Sequence, residues 1–177
     1  MDLKTAQNDM ATAYVNGAPG VAVSGLVWIV AGLVWMRAGI QTGFTALFIG
    51  GMLIVPLSLV AARLLFHAPK PARGNPVERL ALESTFTLFA GILIAYGLLQ
   101  IAPAAAFPIM AIIIGARYFV FRTIYDEPLY WALGSALAAA GAVAGAGPTW
   151  PSGSLALVTG TIEIIFSAAL FARRRPS

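Results

Sequence analysis

The 177-residue chain contains no cysteine. That excludes a disulfide framework, a thiolate metal site and a cysteine nucleophile. Histidine occurs once, as His67, too seldom for a bis-histidine haem or a multi-histidine metal centre. The two lysines, Lys4 and Lys70, lie outside every long apolar run, so a membrane-buried Schiff-base lysine is excluded as well. No G-x-S-x-G, P-loop or dinucleotide fingerprint occurs. Charge of either sign is scarce: Asp, Glu, Lys and Arg make up 10% of residues, against about a quarter in soluble domains. So little charge cannot cover a water-facing surface, and the natural solvent of this chain is lipid.

What is present agrees. Hydrophobic residues make up 59% of the chain, and the mean hydropathy is +0.84. Spanning a bilayer takes about 20 apolar residues, and runs of that length occur at 19–36, 42–66, 77–100, 104–124, 129–147 and 153–172. The connections are short, and nothing remains for a second domain. The expected architecture is an all-α polytopic bundle of six transmembrane helices over 19–172, with a polar N-terminal segment, 1–18, and a basic tail, 173–177. The N-terminal segment lacks the pattern of a secretory signal. Its Leu3, Ala6, Met10 and Ala13 recur at helical spacing, so it reads either as a helix on the membrane surface or as a frayed terminus.

The net charge of +4 comes from basic residues at the ends of apolar runs, not from a groove-lining patch, so nucleic acid is not an expected partner. With the N-terminus inside, the inner side collects Lys4, Arg63, Lys70, Arg73, Arg79, Arg122 and the run 173–175, and the outer side holds only Arg37. The positive-inside rule then places both termini in the cytoplasm, in a plasma (inner) membrane. On the long inner loop, Asn75 reads as an N-cap, Pro76 as the first helical residue and Glu78 as the returning half of a capping box.

Ala31-Gly32, Ala90-Gly91 and Ala140-Gly141 recur in the odd-numbered spans, and Gly50, Gly115 and Gly160 in the even ones. Three tandem helical hairpins would give this pattern, and so would the general abundance of glycine in membrane helices. Gly134, Ala138, Gly141 and Gly145 form one stripe of the fifth span, and Ala156, Gly160, Glu163 and Ser167 a comparable one on the sixth. Small residues let helix backbones approach closely, either within the chain or against a second copy in a homo-oligomer.

Ionisable residues inside the spans are few: Glu83, Arg117 and Glu163. An arginine that deep either snorkels or pairs. Because side chains lean toward a helix N-terminus, Arg117 starts out directed away from the inner surface, and pairing is favoured. Glu83 has similar depth and is the preferred partner, with Glu163, near the midplane, as the alternative. The remaining carboxyl is a candidate proton carrier, and equally a candidate for a quiet hydrogen bond to a neighbouring Ser or Thr. Trp28, Trp35, Tyr125, Tyr130, Trp131 and Trp150 fall mostly near span ends and read as interfacial belts.

In "SGLVWIVAGLVW", "GNPVERLALESTF" and "GARYFVF…YWALG" the chain resembles a group of uncharacterised small bacterial integral membrane proteins. The resemblance implies a compact multi-span protein and supplies no activity and no functional residue. No cofactor, metal site or catalytic nucleophile–base pair is recognisable. Two functions stay open. A small-solute or proton-linked transporter or channel requires Glu83, Arg117 and Glu163 to line one polar cavity. A structural or accessory subunit requires a dry bundle.

Overall fold

In the computed structural model, which describes residues 1–147 and 150–174, the chain is all-helical, with no strand among the described residues. The expected loop at 148–152 lies in part, and 175–177 wholly, outside them. The helices are α1 (Leu3–Ala13), α2 (Ala18–Ala38), α3 (Ile40–Leu64), α4 (Glu78–Ile101), α5 (Ala106–Tyr125), α6 (Leu129–Ala146) and α7 (Ser154–Ala172). The six from α2 to α7 are each long and apolar enough to cross a membrane. Their ends follow local chemistry. Gly39, at φ +88°, lets α2 break into α3 across a single residue. Ala102 and Pro103 stop α4, and Asp126, at φ +50°, reverses the chain ahead of Pro128.

Around the bundle the order is α3, α2, α7, α6, α5, α4, each helix packed on the next. The ring does not close, because α3 and α4 are not packed against one another. Two of the seams, α2 with α7 and α5 with α6, bring glycine against backbone from both sides. A Cβ at Gly160 would stand 2.5 Å from the Gly25 carbonyl oxygen, and one at Gly25 would stand 2.8 Å from that of Gly160. On α6, a Cβ at Gly134 would meet Gly115 O at 2.6 Å, and one at Gly141 would meet Pro108 O at 2.5 Å. The backbone of Ala138 crowds Gly115 in the same seam, while Gly145 makes only ordinary contact with Pro108. Both small-residue stripes are thus occupied by helices of the same chain. The three-hairpin pattern holds for α2–α3 and α4–α5, but α6 and α7 turn mainly to α5 and α2, not to each other.

The N-terminal segment is neither frayed nor free. Asp2 caps α1, its carboxylate accepting from the Thr5 amide (2.9 Å) and hydroxyl (2.8 Å). Ala6, Met10 and Ala13 are buried in the protein, while Leu3 stays exposed. Polar side chains fasten α1 across the end of the bundle. Gln7 Nε2 donates to Thr123 O (2.6 Å), Lys4 pairs with Asp126, and Asp9 accepts from the Ala72 amide (2.9 Å) and from Asn75 Nδ2 (2.7 Å). Asn16 Nδ2 donates to Arg173 O at 3.1 Å, which brings the two ends of the chain to the same end of the bundle.

Asn75 does not cap α4, which begins only at Glu78 with Val77 as its first flanking residue. Its side chain accepts from the Val77 amide at 3.0 Å in a local turn ahead of the helix, and the expected capping box does not form. The backbone N–H of Asn75 already donates to Ala72 O (3.2 Å), so it has no need of the Glu78 side chain. The side-chain amide of Asn75 instead reaches α1, donating to Ala6 O at 3.0 Å.

Candidate functional site

The missing α3–α4 contact leaves a cleft of about 500 Å³ between a wall of α2 and α3 and a wall of α4 and α5. Along α3 it runs from Phe44 to Ala62, about 27 Å at 1.5 Å per residue. Its two ends differ. Far from α1 it is lined by Phe44, Leu47, Phe48, Ile92 and Met110. The polar side chains gather toward α1, where Tyr14, Glu78, Thr85, Arg117, Tyr118 and Tyr125 reach it. Burial, with the Glu78 carboxylate adding in the same direction, raises the Tyr14 phenol above its ordinary range, so it remains a neutral donor. Arg63 closes that end, donating to Ala13 O (3.0 Å), Ala68 O (2.7 Å) and Pro69 O.

Arg117 lies on the cleft wall, and its partners are not those expected. Its Nε donates to Ser84 Oγ at 3.2 Å, its Nη2 to Thr85 Oγ1 at 3.3 Å, and its guanidinium stands 4.9 Å from the Phe121 ring centre. Both hydroxyls spend their own hydrogens on Ala81 O, at 2.8 and 2.9 Å, so their lone pairs are what Arg117 meets. Among the described residues Arg117 makes no ion pair with either Glu83 or Glu163. The correction has a simple cause. Glu83 has the right depth but the wrong azimuth: it precedes Ser84 and Thr85, which places it roughly 100° and 200° around the axis from them. The buried face of α4 carries Ser84, Gly91, Ala95 and Leu99, and Glu83 is exposed.

Glu163 is 0% exposed, on the α2–α7 seam behind the cleft wall. Its Oε1 accepts from the Tyr118 hydroxyl at 2.5 Å, and its Oε2 has no protein partner. Trp28 Nε1 and Thr159 Oγ1 are likewise buried without partners, from α2 and α7 respectively. The partner of Glu163 is therefore a tyrosine next to Arg117 in sequence, a residue sequence reasoning missed. The tyrosines and tryptophans expected as interfacial belts also divide. Tyr130 is fully buried with its hydroxyl on Asn16 O (2.8 Å), Tyr125 is buried beside it, and Trp28 is buried against Phe107. Trp35 stacks on Phe107, and Trp131 is exposed. Only α1 and the helix order, invisible in hydropathy, make Tyr125 and Tyr130 interior.

Six lipid-compatible helices, four of them walling a laterally open cleft, define a multi-pass α-helical membrane protein. The chain belongs to DUF7010, a family of unknown function, which it matches over residues 3–173. No curated protein and no solved structure matches it.

Proposed function

We propose that the protein binds a lipid-like amphiphile within the bilayer, admitted sideways between α3 and α4. The observation that carries this reading is the unpacked α3–α4 side opening onto an apolar cavity. Its volume falls in the usual range for small-molecule sites, about 300–1,000 Å³. Its length suits an extended chain lying along the helices, and its polar groups gather at one end, as an amphiphile requires. A path for a small polar solute has less support, because Glu83, Arg117 and Glu163 face three different environments: the exposed side of α4, the cleft, and the α2–α7 seam. Carriage of the amphiphile between leaflets is the transport form of the proposal.

The α1 end faces the cytoplasm in this reading. Its support is the concentration of ionic contacts there, Lys4 with Asp126, Arg122 with Asp126 and Arg173 with Glu127, against Arg37 alone at the other end.

Gly51 lines the cleft, and a Cβ there would meet no atom within 4 Å. Gly51→Phe should therefore fill the cleft without straining the fold. Native mass spectrometry of protein released from lipid nanodiscs should show retained single-chain or two-chain lipid on the wild type and much less on Gly51→Phe. Equal retention by both would overturn the reading. A wild type that instead retains a partner protein whose helix Gly51→Phe displaces would favour the accessory-subunit role.

A further inference from the structure

The guanidinium of Arg117 is the unusual feature of the cleft. A part-buried arginine within a membrane span normally faces a carboxylate, because an uncompensated charge in low dielectric is costly. Here the protein supplies two hydroxyl lone pairs and one ring face, and the remaining N–H groups have no protein partner among the described residues. The neighbouring charges do not complete it. Glu163 is engaged by Tyr118, Arg63 is spent on the carbonyls of Ala13 and Ala68, and Glu78, at the cleft's α1 end, is exposed and makes no ion pair with Arg117. Arg117 also sits where the lining changes character. On α5, Met110 and Ile114 precede it on the apolar side, while Tyr118 and Tyr125 follow it. A chain lying along the apolar half would bring its head group to this guanidinium.

We infer that the cleft selects an amphiphile with an anionic head, a carboxylate or phosphate, received by Arg117. This rests on the cleft reading above and specifies its ligand class. Arginine suits the task because its planar fork offers parallel N–H donors to two oxygens of either head. Ser84 and Thr85 are positioning residues: they hold one edge of the fork and leave the other free for the ligand.

The test uses the full-length protein in a neutral maltoside micelle. Four fluorescent amphiphiles of equal chain length are titrated: a fatty acid, a lysophosphatidate, a lysophosphocholine and a monoacylglycerol. The two anionic heads should bind at least tenfold more tightly than the uncharged one, and raised salt should narrow the gap. Arg117→Gln should bind all four at the level of the uncharged head, and Arg117→Lys should restore part of the preference. Preference for the fatty acid over the lysophosphatidate, or the reverse, would identify a free fatty acid or a phospholipid as the source, and either supports the inference. Equal binding of all heads by the wild type, or an anionic preference that survives in Arg117→Gln, would overturn it while leaving the cleft reading standing. Failure of every amphiphile to bind would overturn both. Should Arg117→Gln not fold, the wild-type head-group ratio and its change in Arg117→Lys decide the matter.

Discussion

Glu163 and Tyr118 show how much depends on one buried contact. The carboxyl accepts from the Tyr118 hydroxyl through Oε1, and its Oε2 has no partner. Removing the Tyr118 hydroxyl takes the donor from Oε1 at a site closed to water, at a cost of about 1–3 kcal/mol. Tyr118→Phe should lower thermal stability in detergent by that amount, and Glu163→Leu, which leaves the hydroxyl unpaired, should do so too. The double variant should lose less than the sum, because neither polar group then remains, with a coupling of about 0.5–3 kcal/mol. Glu83→Gln, exposed on α4, serves as the neutral control within about 0.5 kcal/mol. Additive losses would mean that the two side chains do not depend on each other. At this scale the sequence identified the unusual residues, Arg117 and Glu163, from the scarcity of charge in apolar runs. It did not identify their partners. Depth along a helix can be counted from one sequence, but the face toward each neighbour depends on which helix that neighbour is.

Among elements, the most extensive seams are those of α5 with α6, α2 with α3 and α2 with α7. Hydropathy gave six helices with ends within a few residues of those observed, because the length of an apolar run is a property of the chain alone. The stripe on the fifth span was equally legible, since i, i+4, i+7 spacing defines a face without reference to a partner. The partner was not legible, and neither was the docking of α1 across the end of the bundle, where Gln7 bonds the α5 backbone and Asp9 the loop before α4. Gly141→Leu tests the seam. Its Cβ would press on the backbone oxygen of Pro108 at 2.5 Å, which cannot swing away, so stability should fall by about 1–3 kcal/mol. Gly51→Leu, with open space beside it, should fall by less than about 0.5 kcal/mol. Equal melting temperatures for the two variants in the same detergent would refute close packing of α6 on α5.

For the whole molecule, the open ring and its strapped end define a polarity that can be read in cells. Reporter fusions after Arg73 and at the C-terminus should both score as cytoplasmic, and one in the segment 101–103 as external. The contact between Asn16 and Arg173 requires both termini on the same side in any case. Termini found on opposite sides would contradict the six-span bundle, and both found outside would reverse the proposed direction of the cleft. The cleft itself was not legible in the sequence, because it arises from a contact that two consecutive spans fail to make.

The seam of α2 with α7 also governs how the protein is born. The first of these six spans packs on the sixth, and 135 residues separate Gly25 from Gly160. At about 5–20 residues per second, α2 waits on the order of ten seconds with its glycine face bare in the bilayer. A message truncated before α7 therefore yields a chain in which the glycine face of α2 never finds its mate.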